Sequence, residues 1–237
     1  INGINYSDAT EGQKDAWLAA NESRVHFGAA VGNNATNDHS AALAAIDTTN
    51  DKMTANLITL IKRRARYASP HIKPFKSGTA GREYYVLFAH PLCFRDLKQD
   101  ETMIKANREA RPRDVDKNPI FQDGDLIYDG VIIREIPEFY QARFDTDTVN
   151  AETHLAGVGA SSSDVGANFL CGCQAICYAN KQFAMPTTDR NDDYGFLRKL
   201  GIEMAHGIEK MRWSNGASDP SVDFGIMTVY ASAQADA

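Results

Sequence analysis

The sequence predicts an α+β fold, in which helices and strands are mixed without strict alternation. Apolar residues recur at helical spacing between Met53 and Ala65. The segment Tyr84–Ala89 is rich in aromatic and aliphatic residues, which is typical of a buried strand. The pairs Asp129-Gly130 and Asn215-Gly216 favour tight turns and separate short strand-like segments.

The composition is that of an ordinary globular protein. The chain has 237 residues, of which 43% are hydrophobic and 24% are charged. A chain of this length buries about 70–75% of the surface that it exposes when unfolded, so it needs no disulfide or metal for stability. Its net charge of −6 argues against a dedicated nucleic-acid binder, and no apolar run reaches the roughly 20 residues of a membrane span.

Residues 1–45 are rich in Asn, Ala, Ser, Asp and Gly, and we expect an irregular segment that depends on contacts with the rest of the chain. Gln13–Asn21 is predicted to form a short helix, and Gly32–Ser40 a loop. The opening residues INGINYS lack an initiator Met, which indicates a fragment or a proteolytically processed product.

Three helices and two strands are predicted next. Thr48 and Asp51 have the spacing of a helix N-terminus, and the helix that follows ends before Pro70. The other elements are helices at Pro91–Gln99 and Asp100–Ala110 and strands at Leu126–Tyr128 and Val131–Ile136.

The C-terminal third is predicted to contain one helix and three strands. Ser163 is a candidate cap for a helix from Asp164 to about Phe183, with Val165, Phe169, Cys173, Ile176 and Cys177 on one face. The strands are Phe196–Met204, Ile208–Trp213 and Phe224–Tyr230.

No motif in the sequence indicates catalysis, cofactor binding or metal binding. Cys171, Cys173 and Cys177 lie close together on the predicted helix, where small thiols packed into an interface are favoured over a zinc site or disulfides. The loop Gly157–Ser163 lacks the Lys-Ser or Lys-Thr pair of a phosphate-binding loop. The six histidines are scattered, and no pair has HxH or HxxxH spacing.

Charged residues alternate in sign around Pro112 and form a candidate inter-subunit contact. Arginine side chains can form paired hydrogen bonds with carboxylates of a neighbouring molecule. The alternative is a solvated surface, which also applies to the basic run Lys62–Arg66. The candidate contact residues are Arg108, Arg111, Arg113, Asp114 and Lys117.

A set of short motifs occurs in a characteristic order and spacing along the chain. They are Tyr85–Pro91, Phe94–Leu97, Asn118–Phe121, Gly124, Tyr128–Val131, Gly172, Gln174–Ala175, Asp193–Gly195, Lys210 and Asp223–Gly225. In these motifs the chain resembles the larger, C-terminal part of tailed-bacteriophage major capsid proteins, in particular coat proteins of podophages that carry a virion RNA polymerase. The resemblance covers roughly residues 45 to 230, and the order and spacing of the motifs are more specific than any single motif.

This resemblance implies a Hong Kong 97-like capsid fold without the N-terminal arm, extended hairpin loop and spine helix of the family. It implies an axial-type α+β domain at 46–190 and closing β-strands of a peripheral or axial sheet at 191–237. It also implies a structural, non-enzymatic protein of the virion, assembled in the host cytoplasm. Copies would form hexamers and pentamers in an icosahedral shell around double-stranded DNA, with decoration, scaffolding or portal proteins as further partners and no membrane.

Two alternatives follow from the same residues. The first is the shell protein of a cellular nanocompartment, which would enclose an enzyme instead of DNA. The second is an unrelated soluble enzyme whose site combines dispersed histidines and carboxylates.

Overall fold

The computed structural model describes residues 1, 3–77, 81–109, 125–141, 151–192, 194, 196–214 and 221–236. Five α-helices, three short 3-10 helices and twelve strands are assigned in these residues. The helices are α1 (Glu11–Ala20), α2 (His39–Ala44), α3 (Ala55–Tyr67), α4 (Pro91–Gln99) and α5 (Glu101–Glu109). The strands are β1 (Val25–Phe27), β2 (Phe75–Ser77), β3 (Arg82–Ala89), β4 (Asp125–Tyr128), β5 (Val131–Glu135), β6 (His154–Leu155), β7 (Val165–Cys171), β8 (Ile176–Asp192), β9 (Leu197–Lys210), β10 (Arg212–Trp213), β11 (Val222–Asp223) and β12 (Ile226–Ser232).

The main sheet is mixed and has the strand order β1-β12-β7-β3-β5-β4, with β2 added to β3 and β6 added to β7. β3 and β5 are parallel, and the chain between them passes through α4 and α5. β4 and β5 form the predicted hairpin, and Asp129 and Gly130 at its turn have φ values of 47° and 72°. Both residues therefore adopt the left-handed conformation that favours Asp-Gly in such turns.

Helices cover the sheet on both faces. On β12, Met227, Val229 and Ala231 belong to the core formed with α3 and α4, whereas Tyr230 belongs to a second core with α1 and α2. Successive strand residues point to opposite faces, so a strand between two helical layers is apolar throughout. All seven residues of β12 are accordingly buried.

Helix α3 begins later than the sequence predicts. Thr54 is the N-cap, and its hydroxyl accepts a hydrogen bond from the Leu57 N–H at 3.3 Å. The predicted start at Thr48 is wrong, because the Asp51 carboxylate accepts instead from the backbone N–H groups of Ala29 and Asp47. The apolar stripe is confirmed: α3 buries Leu57, Ile58, Ile61 and Ala65.

Helices α4 and α5 and strands β3 to β5 lie within about two residues of their predicted bounds. The helix predicted at Gln13–Asn21 is confirmed as α1. Strand β1 and helix α2 were not predicted, and α2 begins inside the predicted loop Gly32–Ser40. Both are short, and they contact α1, β7 and β12 through the second core. The domain division at 45 and 190 remains a prediction.

The helix predicted from Asp164 to Phe183 is wrong. Residues 165–171 form the central strand β7, and β8 begins at Ile176. A short run that is buried on both faces of a sheet has too little alternation to be told from a helix by periodicity. Gln174, at φ 67°, marks the turn between the two strands.

The predicted C-terminal strands are confirmed in part. Phe196–Met204 and Ile208–Trp213 form one long strand, β9, followed by the short β10, where two separate strands were predicted. Phe224–Tyr230 corresponds to β12.

Candidate assembly surface

Strands β8 and β9 form a long two-stranded antiparallel hairpin that is not part of the main sheet. Its 17-residue strand is about 50 Å long at the usual rise per residue. Tyr178 pairs with Ile208 and Pro186 pairs with Ile202, with register shifts in β8 between these pairs. We call this hairpin, Ile176–Lys210, the ribbon.

One face of the ribbon is apolar. Alternate residues of β9 share a face, and one set is Leu200, Ile202, Met204, His206 and Ile208, whereas the other is Gly201, Glu203, Ala205, Gly207 and Glu209. Tyr178 lies beside Ile208 on the neighbouring strand, and its ring is 5.9 Å from that of His206. Strand β9 thus has one apolar face and one face of small and charged residues.

The apolar face is exposed to solvent in the single chain. Ten of the sixteen exposed large hydrophobic side chains in the described part of the chain lie between Ile176 and Ile208, and Ile202 is 67% exposed. A two-stranded hairpin is at best marginally stable alone, and an apolar patch of this kind marks a contact surface. The ribbon is therefore the described surface best suited to contacts with further protein.

The base of the ribbon is fixed to the body by close backbone contacts. The Met211 N–H donates to the Ala175 carbonyl at 3.1 Å, and the Gly172 N–H donates to the Gly225 carbonyl at 2.9 Å. A Cβ atom on Gly225 would lie 2.5 Å from the Gln174 carbonyl oxygen, so only glycine allows this approach. These contacts attach one end of the ribbon to the body of the protein.

Four of the five charged residues chosen from the sequence fall in a part of the chain that the structure does not describe. Arg111, Arg113, Asp114 and Lys117 lie outside the described residues. Arg108 lies near the end of α5, and its side chain is not described. The inter-subunit role of these five residues stays a prediction.

The basic run of α3 is partly engaged within the chain. Lys62 forms a salt bridge with Asp129 at 2.7 Å. Arg64 donates to the Glu22 carbonyl at 2.9 Å and lies 2.6 Å from Nδ1 of His26. These contacts attach α3 to the β4–β5 turn, to β1 and to the segment before β1, which gives the run a structural role.

The cysteines do not form the predicted cluster in a helix interface. Cys171 ends β7, Cys177 lies at the start of β8, and Cys173 and Cys177 are exposed. All four cysteines are free thiols. The prediction was wrong because it depended on the helix from Asp164 to Phe183.

Two histidines that are 64 residues apart in sequence lie together in the structure. Nε2 of His90 is 3.3 Å from Nδ1 of His154, and Nε2 of His154 is 3.6 Å from an Asp164 carboxylate oxygen. The groups form a line and do not converge on one point. No group of three or more His, Cys, Asp or Glu side chains in the described residues could hold a metal ion. Sequence spacing carried no signal for this arrangement.

No helix in the described ranges is both long and apolar enough to cross a bilayer. The loop at 157–163 leads into strand β7, so it does not present a helix N-terminus to a phosphate group.

Comparisons with known proteins identify the family of the chain. The sequence profile of the phage capsid protein family matches residues 2–235. The major capsid protein of Pseudomonas phage KPP25 is 29% identical over 183 residues, which is 76% of this chain and 46% of that protein. The chain thus spans about half the length of this curated relative.

Solved structures give the same result. The cyanophage Pam1 capsid asymmetric unit contains a chain that is 33% identical, with a TM-score of 0.75 over 98% of this chain and 60% of that one. The capsid of Ralstonia phage GP4 is 17% identical, with a TM-score of 0.56 over 92% of this chain and 54% of that one, and supports the fold. With a family match over nearly its whole length, this chain belongs to the phage capsid protein family.

Proposed function

We propose that the protein is a structural major capsid subunit that self-assembles into an icosahedral shell around packaged double-stranded DNA. The observation that carries this proposal is the family match over residues 2–235, which is supported by a 33% identical capsid structure. The proposed fold is Hong Kong 97-like, with an axial-type domain at 46–190 and closing strands at 191–237. The proposed role is non-enzymatic and the proposed location is the virion, after assembly in the host cytoplasm.

The ribbon supports the assembly role. Its apolar face is exposed in the single chain, and burial of apolar area is the main favourable term in protein association. Copies arranged as hexamers and pentamers require head-to-tail interfaces that close by rotation, and a projecting hairpin can reach across such an interface. Scaffolding, decoration and portal proteins are further partners in this proposal.

The charge balance supports enclosure of DNA without sequence-specific binding. A protein that neutralises phosphates needs a surplus of Lys and Arg at the contact, whereas this chain has a net charge of −6. An acidic balance of this kind agrees with a wall that encloses DNA without holding it tightly.

The direct test is electron microscopy of particles purified from cells that produce the protein, followed by nucleic-acid analysis after nuclease treatment. We expect icosahedral particles that contain nuclease-protected double-stranded DNA. Particles with a protein cargo and no DNA would indicate a nanocompartment. A protein that stays monomeric at high concentration in these cells would contradict the shell role altogether.

The contribution of the ribbon is tested with two matched variants. Ile202→Thr and Ile208→Thr reduce the apolar face but keep the β-branched shape that favours strands. We expect them to leave the unfolding temperature of the free protein nearly unchanged and to lower the yield of particles. Ala205→Thr, on the opposite face of β9, is the control and should assemble normally; equal yields for all three variants would exclude this face as a contact surface.

A further inference from the structure

The buried pair His90 and His154 connects three separate parts of the chain. His90 lies between β3 and α4, where it is the N-cap residue of the helix. His154 belongs to β6, a strand of only two residues at the side of β7. Asp164 lies immediately before β7, and its other oxygen accepts from the Gly157 N–H at 2.9 Å. The three side chains therefore bridge the sheet, the strand β6 and the loop that follows it.

The backbone determines where the protons of this line lie. Nδ1 of His90 accepts a hydrogen bond from the Leu92 N–H at 3.3 Å, so it carries no proton when the ring is neutral. The proton of His90 is then on Nε2, which donates to Nδ1 of His154. The remaining proton of His154 is on Nε2, which faces the Asp164 carboxylate at 3.6 Å. Each ring nitrogen has one partner and one role.

Neither ring can take up a second proton without losing a contact. On His90 the proton would have to bind Nδ1, which faces the Leu92 N–H. On His154 it would have to bind Nδ1, which faces the Nε2–H of His90. In either case an acceptor nitrogen becomes a donor opposite another donor. Protonation of both rings would also place two positive charges side by side in a buried site.

The surroundings offer little compensation for such charges. The His90 side chain is fully buried and His154 is 5% exposed. The ring of Tyr140, from the turn after β5, packs edge-on against both imidazoles at 5.7 and 5.0 Å. The titratable group of α4 that neighbours His90 is the buried Cys93 thiol. The charges of Arg95 and Asp96 on the same helix are paired with each other at 2.8 Å. Asp164 is the acidic group in contact with the line.

Burial determines the protonation state at neutral pH. It lowers the pKa of His90 to about 3, with a further contribution from the neighbouring His154. Burial also lowers the pKa of His154, against the opposing effect of Asp164. Both rings are neutral at pH 7, and both return to an ordinary pKa near 6.5 once exposed to water.

We propose that His90, His154 and Asp164 form an acid-sensitive latch that keeps β6 and the loop at 156–164 attached to the main sheet. Above about pH 6.5 the line of contacts is intact. As the pH falls, the open state takes up protons that the closed state excludes, and the equilibrium shifts towards release of β6. The latch acts locally, because β6 pairs with β7 through only two residue pairs.

Hydrogen–deuterium exchange between pH 7.5 and 5.0 tests the latch in the purified protein. After correction for intrinsic rates, we expect the opening equilibrium of amides at 153–164 to rise as the pH falls below 6.5, by about tenfold per pH unit from His90 and by a further factor from His154. Amides at the centre of β3 should respond much less. In His154→Gln, which cannot titrate at this position, the rise at 153–164 between pH 7.5 and pH 5.0 should be smaller than in the wild type.

His71→Gln is the matched control, since His71 is exposed and lies outside the site. It should keep the wild-type pH dependence. Nitrogen NMR of the wild-type imidazoles provides an independent readout, and it should show the Nε2–H form of both rings at pH 7. An Nδ1–H form of His90, a pH-independent exchange at 153–164, or the same slope in His154→Gln and wild type would each overturn the proposal.

Discussion

Lys210 and Asp223 form a salt bridge of 2.7 Å at the point where the ribbon meets the body of the protein. Lys210 is the last residue of β9, and Asp223 belongs to β11. The Asp223 carboxylate is almost fully buried and also accepts a hydrogen bond from the Trp17 indole N–H at 3.3 Å. One ion pair thus connects the ribbon, the segment before β12 and helix α1.

Lys210→Met should destabilise the protein, because it leaves the buried Asp223 carboxylate without its cation. Loss of one partner of a fully buried ion pair costs about 3–5 kcal/mol, and the partial exposure of Lys210 reduces the expected loss to about 2 kcal/mol. Urea unfolding measures the change. Lys52→Met, at an exposed position, is the control and should change stability by less than about 0.5 kcal/mol. Equal midpoints for both variants would contradict this role of the pair.

Gly225→Ala should cost about 2–3 kcal/mol, since the added Cβ would lie 2.5 Å from backbone atoms of Gln174, which cannot move without a shift of the turn. Gly207→Ala is a matched control within β9, because nothing lies within 4 Å of a Cβ at that position. Thermal unfolding of the two variants separates a steric effect from a general effect of alanine. A Gly225→Ala protein as stable as Gly207→Ala would show that the turn relaxes freely.

His39 should make the protein less stable in acid. Its ring is buried among Tyr6, Trp17, Phe27 and Tyr230, and burial lowers its pKa to about 4. The folded pKa is below the unfolded value of about 6.5, so the unfolded chain binds more protons between these values. The stability contributed by neutral His39 is complete above about pH 6.5 and is lost as the pH falls towards 4.

The magnitude follows from the same pKa difference. At pH 5 the loss from His39 alone is about 2 kcal/mol. His39→Phe removes the titration and keeps an aromatic ring, so its unfolding free energy should fall less between pH 7 and pH 5 than that of the wild type. Parallel pH profiles for the two proteins, measured by urea unfolding, would contradict the assignment.

The thiols should react in two classes. Cys173 and Cys177 are exposed and should react with a maleimide in the native protein. Burial raises the pKa of Cys93 to about 12 and that of Cys171 to about 11, so both have little thiolate at neutral pH. Mass spectrometry of the labelled protein should show two rapid additions, with Cys93 modified only after unfolding. Early modification of Cys93 would mean that α4 opens readily.

Local signals were sufficient for some elements. The segment Pro91–Gln99 has Pro at its first position and was predicted with its correct bounds, and Asp129-Gly130 determines its turn through its own backbone preference. The start of α3 was predicted wrongly at Thr48, because the sequence does not show that Asp51 is used by the N–H groups of Ala29 and Asp47. Whether a side chain caps a helix depends on which other groups it can bind, and some of these groups are distant in sequence.

The sequence did not predict that the ribbon is an exposed surface. The alternation of apolar and polar residues from Leu200 to Ile208 was interpreted as strand, but nothing in it distinguishes a strand in a covered sheet from an isolated ribbon. The charged residues from Arg108 to Lys117 were interpreted as either an inter-subunit contact or a solvated surface, and they lie largely outside the described residues. The exposure of a strand depends on which other elements pack against it, and a local pattern of apolar and polar residues does not contain this information.

By itself the sequence determined the mixed fold class, most helices and the likeness to capsid proteins, because these depend on local conformational preference and on the order of short motifs. Only the tertiary structure decided that residues 165–171 form the centre of a sheet covered on both faces, since burial there comes from helices that are distant along the chain. The same holds for the contact of His90 with His154 and for the pair of Lys210 with Asp223. Contacts between residues far apart in sequence form only when the chain folds, so no local pattern in the sequence could predict them.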